Sequence, residues 1–161
     1  MTIPIVIAVA VTMAVLAIGG WMTPIGPWYH NLRKPSWQPP RWAFGPAWTI
    51  ILGLAAWAGL LAWANAPEWQ DRMTIIGLFA INYLFHMAWS PLFFKLKRPD
   101  WALIEMVFLW LSIVALMVGL SRYSTTAAWL LTPYLIWVSF AWFLNRKIVQ
   151  LNGPFGPAQT S

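Results

Sequence analysis

Five apolar runs, separated by short polar and proline-bearing segments, divide this 161-residue chain. They extend from Ile3 to Trp21, Phe44 to Ala64, Met73 to Phe94, Trp101 to Leu120 and Thr126 to Leu144. Each approaches the ~20 residues a helix needs to cross the hydrocarbon layer. Strands of a membrane barrel would instead show ~10-residue stretches of alternating polarity, which the runs do not. The pattern predicts an all-α membrane protein with five transmembrane helices. The first run has no basic residue ahead of it and continues into an aromatic, proline-rich segment, so it reads as a retained helix rather than a cleaved leader. Residues 1–151 form one predicted domain, and Asn152 to Ser161, with two Gly-Pro pairs, reads as a disordered tail.

Composition agrees with this pattern. Only 9% of residues are charged and 60% are hydrophobic, leaving too little polar surface to clothe a water-facing globule. With no cysteine, disulfides, thiolate metal sites and cysteine nucleophiles are excluded. The net charge of +6 does not indicate nucleic acid, because the ten basic residues are scattered over short loops. Five crossings put Arg33, Lys34, Arg41, Lys95, Lys97, Arg98, Arg146 and Lys147 on one side and Arg72 and Arg122 on the other, 8 against 2. By the positive-inside rule the N-terminus lies outside and the C-terminus in the cytoplasm, in an inner membrane.

Small residues four apart, Ala10 with Ala14 and Ala55 with Gly59, suit close helix contacts; Gly77 and Ala80 would suit a dimer interface. Asp100 after Pro99 reads as an N-cap. Glu105, one turn into the fourth helix, is expected to snorkel toward the interface and profit from the helix dipole. Pro133 is expected to bend the outer part of the fifth helix.

Fourteen tryptophans are spread unevenly. Trp21, Trp63, Trp69 and Trp101 fall near helix ends, where indoles anchor in the headgroup layer. The segment from Trp28 to Trp48 interleaves Trp28, Tyr29, Trp37, Trp42, Phe44 and Trp48 with Pro35, Pro39, Pro40 and Pro46. Proline bars regular helix there, and irregular backbone beside a membrane must pack on protein or meet water. A stiff lid over the mouth of the bundle meets both demands.

Two helices carry polar groups that need partners. Asn82 and His86 share a face with Trp89 and Phe93, while Tyr134, Trp137, Ala141 and Leu144 form a stripe on the fifth helix. Two readings stand. The faces line an aromatic pocket with a few orienting polar groups, or Asn82 and His86 bond each other or nearby backbone as glue between helices. One membrane imidazole, with His30 in the first loop as the only other histidine, is a weak signal for metal or haem iron.

The strings WYHNLRKPSWQPPRW, GPAW, AWSPLFF, PYLIW and LN occur in that order across nearly the whole chain. Together they resemble the TspO/MBR family, the tryptophan-rich sensory and translocator proteins. The resemblance implies a five-helix bundle, usually dimeric, whose first loop closes over a ligand cavity. It implies binding of tetrapyrroles such as protoporphyrin IX and haem, with sterols and isoquinoline carboxamides bound by several relatives. Carried over by motif, the pocket would use Tyr29, Trp37, Phe44 and Trp48, then His86 and Trp89, then Trp137, Phe140 and Ala141. Two positions depart from the family. His86 stands where an asparagine is usual, which alters amide recognition and permits iron ligation. Arg146 stands where the mammalian cholesterol motif has tyrosine, so strong sterol binding is not expected.

The leading expectation is a membrane receptor or carrier for porphyrin-type ligands, with no cofactor required and the propionates met by Arg33, Lys34 or Arg41. An enzymatic alternative, light- and oxygen-dependent porphyrin breakdown through Trp48 or Trp137, rests on the resemblance alone, as does the outer membrane as an alternative location. A pore or small-molecule transporter ranks last, because the spans carry almost no charge to line a path.

Overall fold

The computed structural model describes residues 1–156. Seven α-helices occur among them: α1 (Thr2–Trp21), α2 (Pro27–Asn31), α3 (Phe44–Asn65), α4 (Trp69–Ser90), α5 (Pro99–Ser121), α6 (Thr125–Leu130) and α7 (Thr132–Asn152). No strand is present among the described residues. A 3-10 turn, Arg41–Ala43, leads into α3, and a π-helical turn, Pro91–Lys95, extends α4. With α6 and α7 in series, five helical segments are long and apolar enough to cross a membrane. The protein is a five-helix membrane bundle.

The helix boundaries have local causes. At α4, the Glu68 and Asp71 side chains form a reciprocal capping box, and Asp71 also accepts a 2.9 Å hydrogen bond from the Tyr123 hydroxyl. Pro91 follows Ser90 and the ladder widens, with the Leu96 N–H reaching back to the Pro91 carbonyl at 2.9 Å. Lys97, at φ 54°, then ends the element. Pro133 has no N–H to continue the ladder, so the fifth span breaks at Leu131 into α6 and α7.

Three sequence expectations need correction. The segment from Trp28 to Trp48 is not wholly irregular: Pro27, at the first position of α2, pre-sets a short helix, and Phe44 and Trp48 already belong to α3. The last span does not stop at Leu144 but runs to Asn152, its final two turns forming an amphipathic end with Ile148 buried and Arg146 and Lys147 exposed. Asn152 is thus helical rather than part of a loose tail, and Pro157 to Ser161 lie outside the described residues.

Packing follows the helix repeat. On α5, Ala102, Met106, Leu109, Ile113, Leu116 and Leu120 are buried at alternating spacings of four and three, a continuous seam through the bundle. It meets the small face of α3, where Ala55, Ala58 and Ala62 are wholly covered. A Cβ on Gly59 would fall 3.1 Å from the Phe79 ring, and one on Gly119 would fall 2.3 Å from Leu78 Cδ1. Glycine therefore permits the close approach of α4 to both neighbours. The ring of contacts runs α1, α3, α6–α7, α5, α4 and back to α1. Only Val15 of α1 is buried, so this helix presents most of its apolar surface outward, as a lipid-facing helix does. Gly77 and Ala80 also stay clear of the core.

Two acidic residues differ from expectation. Arg98, not Asp100, is the N-cap of α5; Pro99 takes the first helical position, and Asp100 in the first turn grips the Arg98 guanidinium, its Nε at 2.9 Å. That pairing holds Arg98 above its usual pKa. Glu105 does not snorkel. It is 9% exposed, and both its oxygens lack a hydrogen-bond partner among the described residues. Its position explains this. The pairs Asn82–Ser112 and Phe85–Phe108 set the α4–α5 register, which places residue 105 across from residue 89, inside the bundle.

Candidate ligand pocket

A cavity of about 440 Å³ opens at the end of the bundle that carries α2 and the 3-10 turn. That volume lies within the range of small-molecule sites. Its α3 wall offers Phe44, Trp48 and Leu52; α4 adds His86 and Trp89, and the π-helical turn adds Phe93; α7 adds Trp137, Ala141 and Asn145. Met106 and Leu109 floor it, Val15, Leu16 and Gly19 of α1 close a side, and Tyr29, Gln38 and Arg41 cover it from the lid.

The aromatic rings interlock. Trp48 lies at the centre, edge-on to His86 at 4.8 Å, Tyr134 at 6.1 Å and Trp137 at 6.4 Å between centroids. Phe44 meets Trp137 at 5.8 Å. The π-helical turn aims Phe93 and Phe94 at the lid, so that Trp28 meets Phe93 at 5.9 Å and Tyr29 meets Phe94 at 5.5 Å. Such edge-on and tilted pairs fix ring orientation as well as burying area. The lid is therefore packed on protein along its helical part.

Sequence-predicted residues divide into three groups. Tyr29, Phe44, Trp48, His86, Trp89, Trp137, Ala141 and Arg41 all line the cavity. Asn82 and Tyr134 lie one layer behind it, fully buried: the Tyr134 hydroxyl donates to Asn82 Oδ1 at 3.1 Å and is 3.3 Å from His86 Nδ1. Asn82 and His86 are thus bridged by a tyrosine rather than bonded to each other. Trp37 and Phe140 also stay outside the lining; Trp37 stacks edge-on to Phe140 at 5.7 Å, and Phe140 backs Trp137 at 5.8 Å.

Of the three candidate cations, only Arg41 borders the cavity. Lys34 is consumed within the lid, its Nζ donating to the Tyr29 carbonyl at 2.6 Å and lying 4.3 Å from the Tyr29 ring centre. Burial, and secondarily the charge of Arg41, lower its pKa. Arg33 is held by its backbone: Asn152 accepts from its N–H at 2.7 Å and donates to its carbonyl at 2.8 Å.

Several lining residues carried little sequence signal. Gln38 donates to the Tyr29 hydroxyl at 3.1 Å, and Thr23 meets Ser90 at 3.1 Å, joining the lid ends of α1 and α4. Asn145 lies in the LN string and one turn past Ala141, which marked it without giving it a role. Four lining residues retain a buried polar atom with no partner among the described residues: Gln38 Oε1, Trp89 Nε1, Trp137 Nε1 and Asn145 Oδ1. Such groups are rare in proteins, and these four atoms lie covered behind the wall's surface.

The sequence profile of the TspO/MBR family matches residues 7–151. The chain belongs to the TspO/MBR family. The tryptophan-rich protein TspO of Chlorobaculum tepidum is 39% identical over 150 residues, covering 91% of this chain and 94% of that protein. The tryptophan-rich sensory protein of Cereibacter sphaeroides is 35% identical, covering 78% of this chain and 77% of its own. The human translocator protein is 33% identical, with coverage of 78% and 75%. The TspO/MBR assignment spans all five membrane helices and both halves of the cavity wall.

Proposed function

We propose that the cavity receives a porphyrin-type tetrapyrrole, protoporphyrin IX or haem, and that the protein acts as a membrane receptor or carrier regulating tetrapyrrole levels. The observation that carries this is the wall itself: Trp48, Trp89 and Trp137 flank one cavity of about 440 Å³, with the Arg41 guanidinium at its rim. A flat apolar macrocycle matches tryptophan faces, and a propionate matches an arginine as a charge-assisted pair. The lid end carries eight of the ten basic residues, which supports a cytoplasmic lid in an inner membrane. The outward-facing Gly77 and Ala80 surface supports a homodimer, and Arg146 in place of a motif tyrosine speaks against strong sterol binding.

Tryptophan quenching by protoporphyrin IX in detergent tests this. Saturable quenching that weakens in a Trp48→Phe, Trp137→Phe double variant supports the pocket; quenching that never saturates, or that is indifferent to the double variant, contradicts it.

One observation favours a second activity. Trp48 and Trp137 are neighbours at 6.4 Å, close enough to share an oxidising equivalent from an excited ligand. Light- and oxygen-dependent porphyrin breakdown would then show new absorbance bands under illumination. Bleaching at the rate of free porphyrin would exclude it.

A further inference from the structure

Behind the cavity wall runs a chain of hydrogen bonds whose direction is set at one end. The Ser112 hydroxyl lies 2.6 Å from the Leu109 carbonyl, which can only accept, so its single proton is spent there. Ser112 must then accept from its other neighbour, Asn82 Nδ2, at 3.0 Å. This fixes the amide orientation and turns Asn82 Oδ1 toward Tyr134. The tyrosine hydroxyl gives its one proton to that oxygen at 3.1 Å. It has only lone pairs left for His86 Nδ1, 3.3 Å away, so Nδ1 must be the protonated nitrogen. The imidazole is thereby held as one neutral tautomer, with the lone pair on Nε2. That nitrogen has no hydrogen-bond partner among the described residues and is not among the sealed-off polar atoms, on a residue that lines the cavity.

We propose that His86 Nε2 is the axial ligand for the iron of a metallated tetrapyrrole, and that the Ser112–Asn82–Tyr134 chain positions it. The Nε2 lone pair enters an open axial position on the iron and displaces water. No proton moves and no electron is transferred, because Nδ1 keeps its hydrogen. A partner on the other ring nitrogen is the arrangement that orients metal-binding histidines. A single protein ligand suffices, since the macrocycle supplies the other four donors. This matters because the described residues contain no cluster of three His, Cys, Asp or Glu that could hold a metal alone. Trp48 also packs edge-on against the imidazole, at 4.8 Å between centroids.

The inference rests on the tetrapyrrole reading of the cavity, so the test separates the two. Ferric haem and metal-free protoporphyrin IX are titrated in parallel into wild type, His86→Ala, His86→Asn and His30→Ala, with optical and electron paramagnetic resonance spectra recorded. Wild type and His30→Ala should show a histidine-ligated iron. Both His86 variants should lose that signature and bind haem at least tenfold more weakly, while protoporphyrin IX affinity changes less than threefold. Added imidazole should restore the spectrum in His86→Ala. His86→Asn keeps a hydrogen-bonding group, so a thermal melt matching wild type separates lost ligation from lost folding. After reduction to ferrous haem, resonance Raman of Tyr134→Phe should show iron still bound but a shifted iron–histidine stretching band, which a purely structural role would not produce. Haem spectra and affinity unchanged by loss of His86, with protoporphyrin IX still bound, overturn the ligation alone. Wild type that binds neither porphyrin overturns both readings.

Discussion

Asn152, the last residue of α7, grips the backbone of Arg33 in the lid with two hydrogen bonds, of 2.7 and 2.8 Å. A residue at the far end of the chain thus pins the loop that covers the cavity mouth. Apart from the Thr23–Ser90 contact at the start of that connection, it is the one polar tie between the loop and the body of the bundle among the described residues; the other attachments are aromatic.

Asn152→Ala should therefore loosen the lid without unfolding the bundle. Each exposed hydrogen bond contributes about 0.5–1.5 kcal/mol at most. Hydrogen exchange should rise over residues 32–40 and ligand dissociation should quicken several-fold, with the melting temperature nearly unchanged. Unaltered exchange there would show that aromatic packing alone holds the lid.

Glu105→Leu should stabilise the protein or leave it unchanged. Its carboxylate is buried with both oxygens unpartnered, and removing such a group relieves a desolvation cost of about 1–3 kcal/mol. Thermal unfolding in detergent measures this. A marked loss of stability would mean the carboxylate is satisfied, for instance by a rotated Trp89 indole.

Gly119→Val should destabilise the α4–α5 contact by about 1–3 kcal/mol, the usual cost of overpacking. Even the first added carbon lies 2.3 Å from Leu78 Cδ1. Adding Leu78→Ala should recover part of the loss. Additive losses in the double variant would place the strain elsewhere.

Ala141→Phe should abolish high-affinity ligand binding while preserving the fold. Ala141 lines the cavity and is small there, so a phenyl group enters ligand space. Protoporphyrin IX affinity unchanged by this substitution would put the binding site elsewhere.

The membrane helices were legible because lipid demands runs of apolar residues at a fixed length, and five such runs stand out whatever their packing. Most of the aromatic wall followed from motif and spacing, as Trp48, Trp89 and Trp137 show. The depth of each residue did not. Asn82 and His86 are four apart on one helix, yet one lies behind the wall and the other in it, a difference set by Tyr134 on another helix. Phe140 backs the wall for the same reason, since helix rotation within the bundle is a tertiary property, and Trp37 reaches Phe140 from a turn in the lid. Glu105 misled because its place near a helix end suggested access to water, whereas the α4–α5 register turns it inward.

A structure solved with protoporphyrin IX present would test the central claim most directly. The account predicts the macrocycle between Trp48, Trp89 and Trp137, a propionate on Arg41, and the ring edge near His86. Density for the porphyrin only on the outer face of the bundle, with this cavity unfilled, would contradict it.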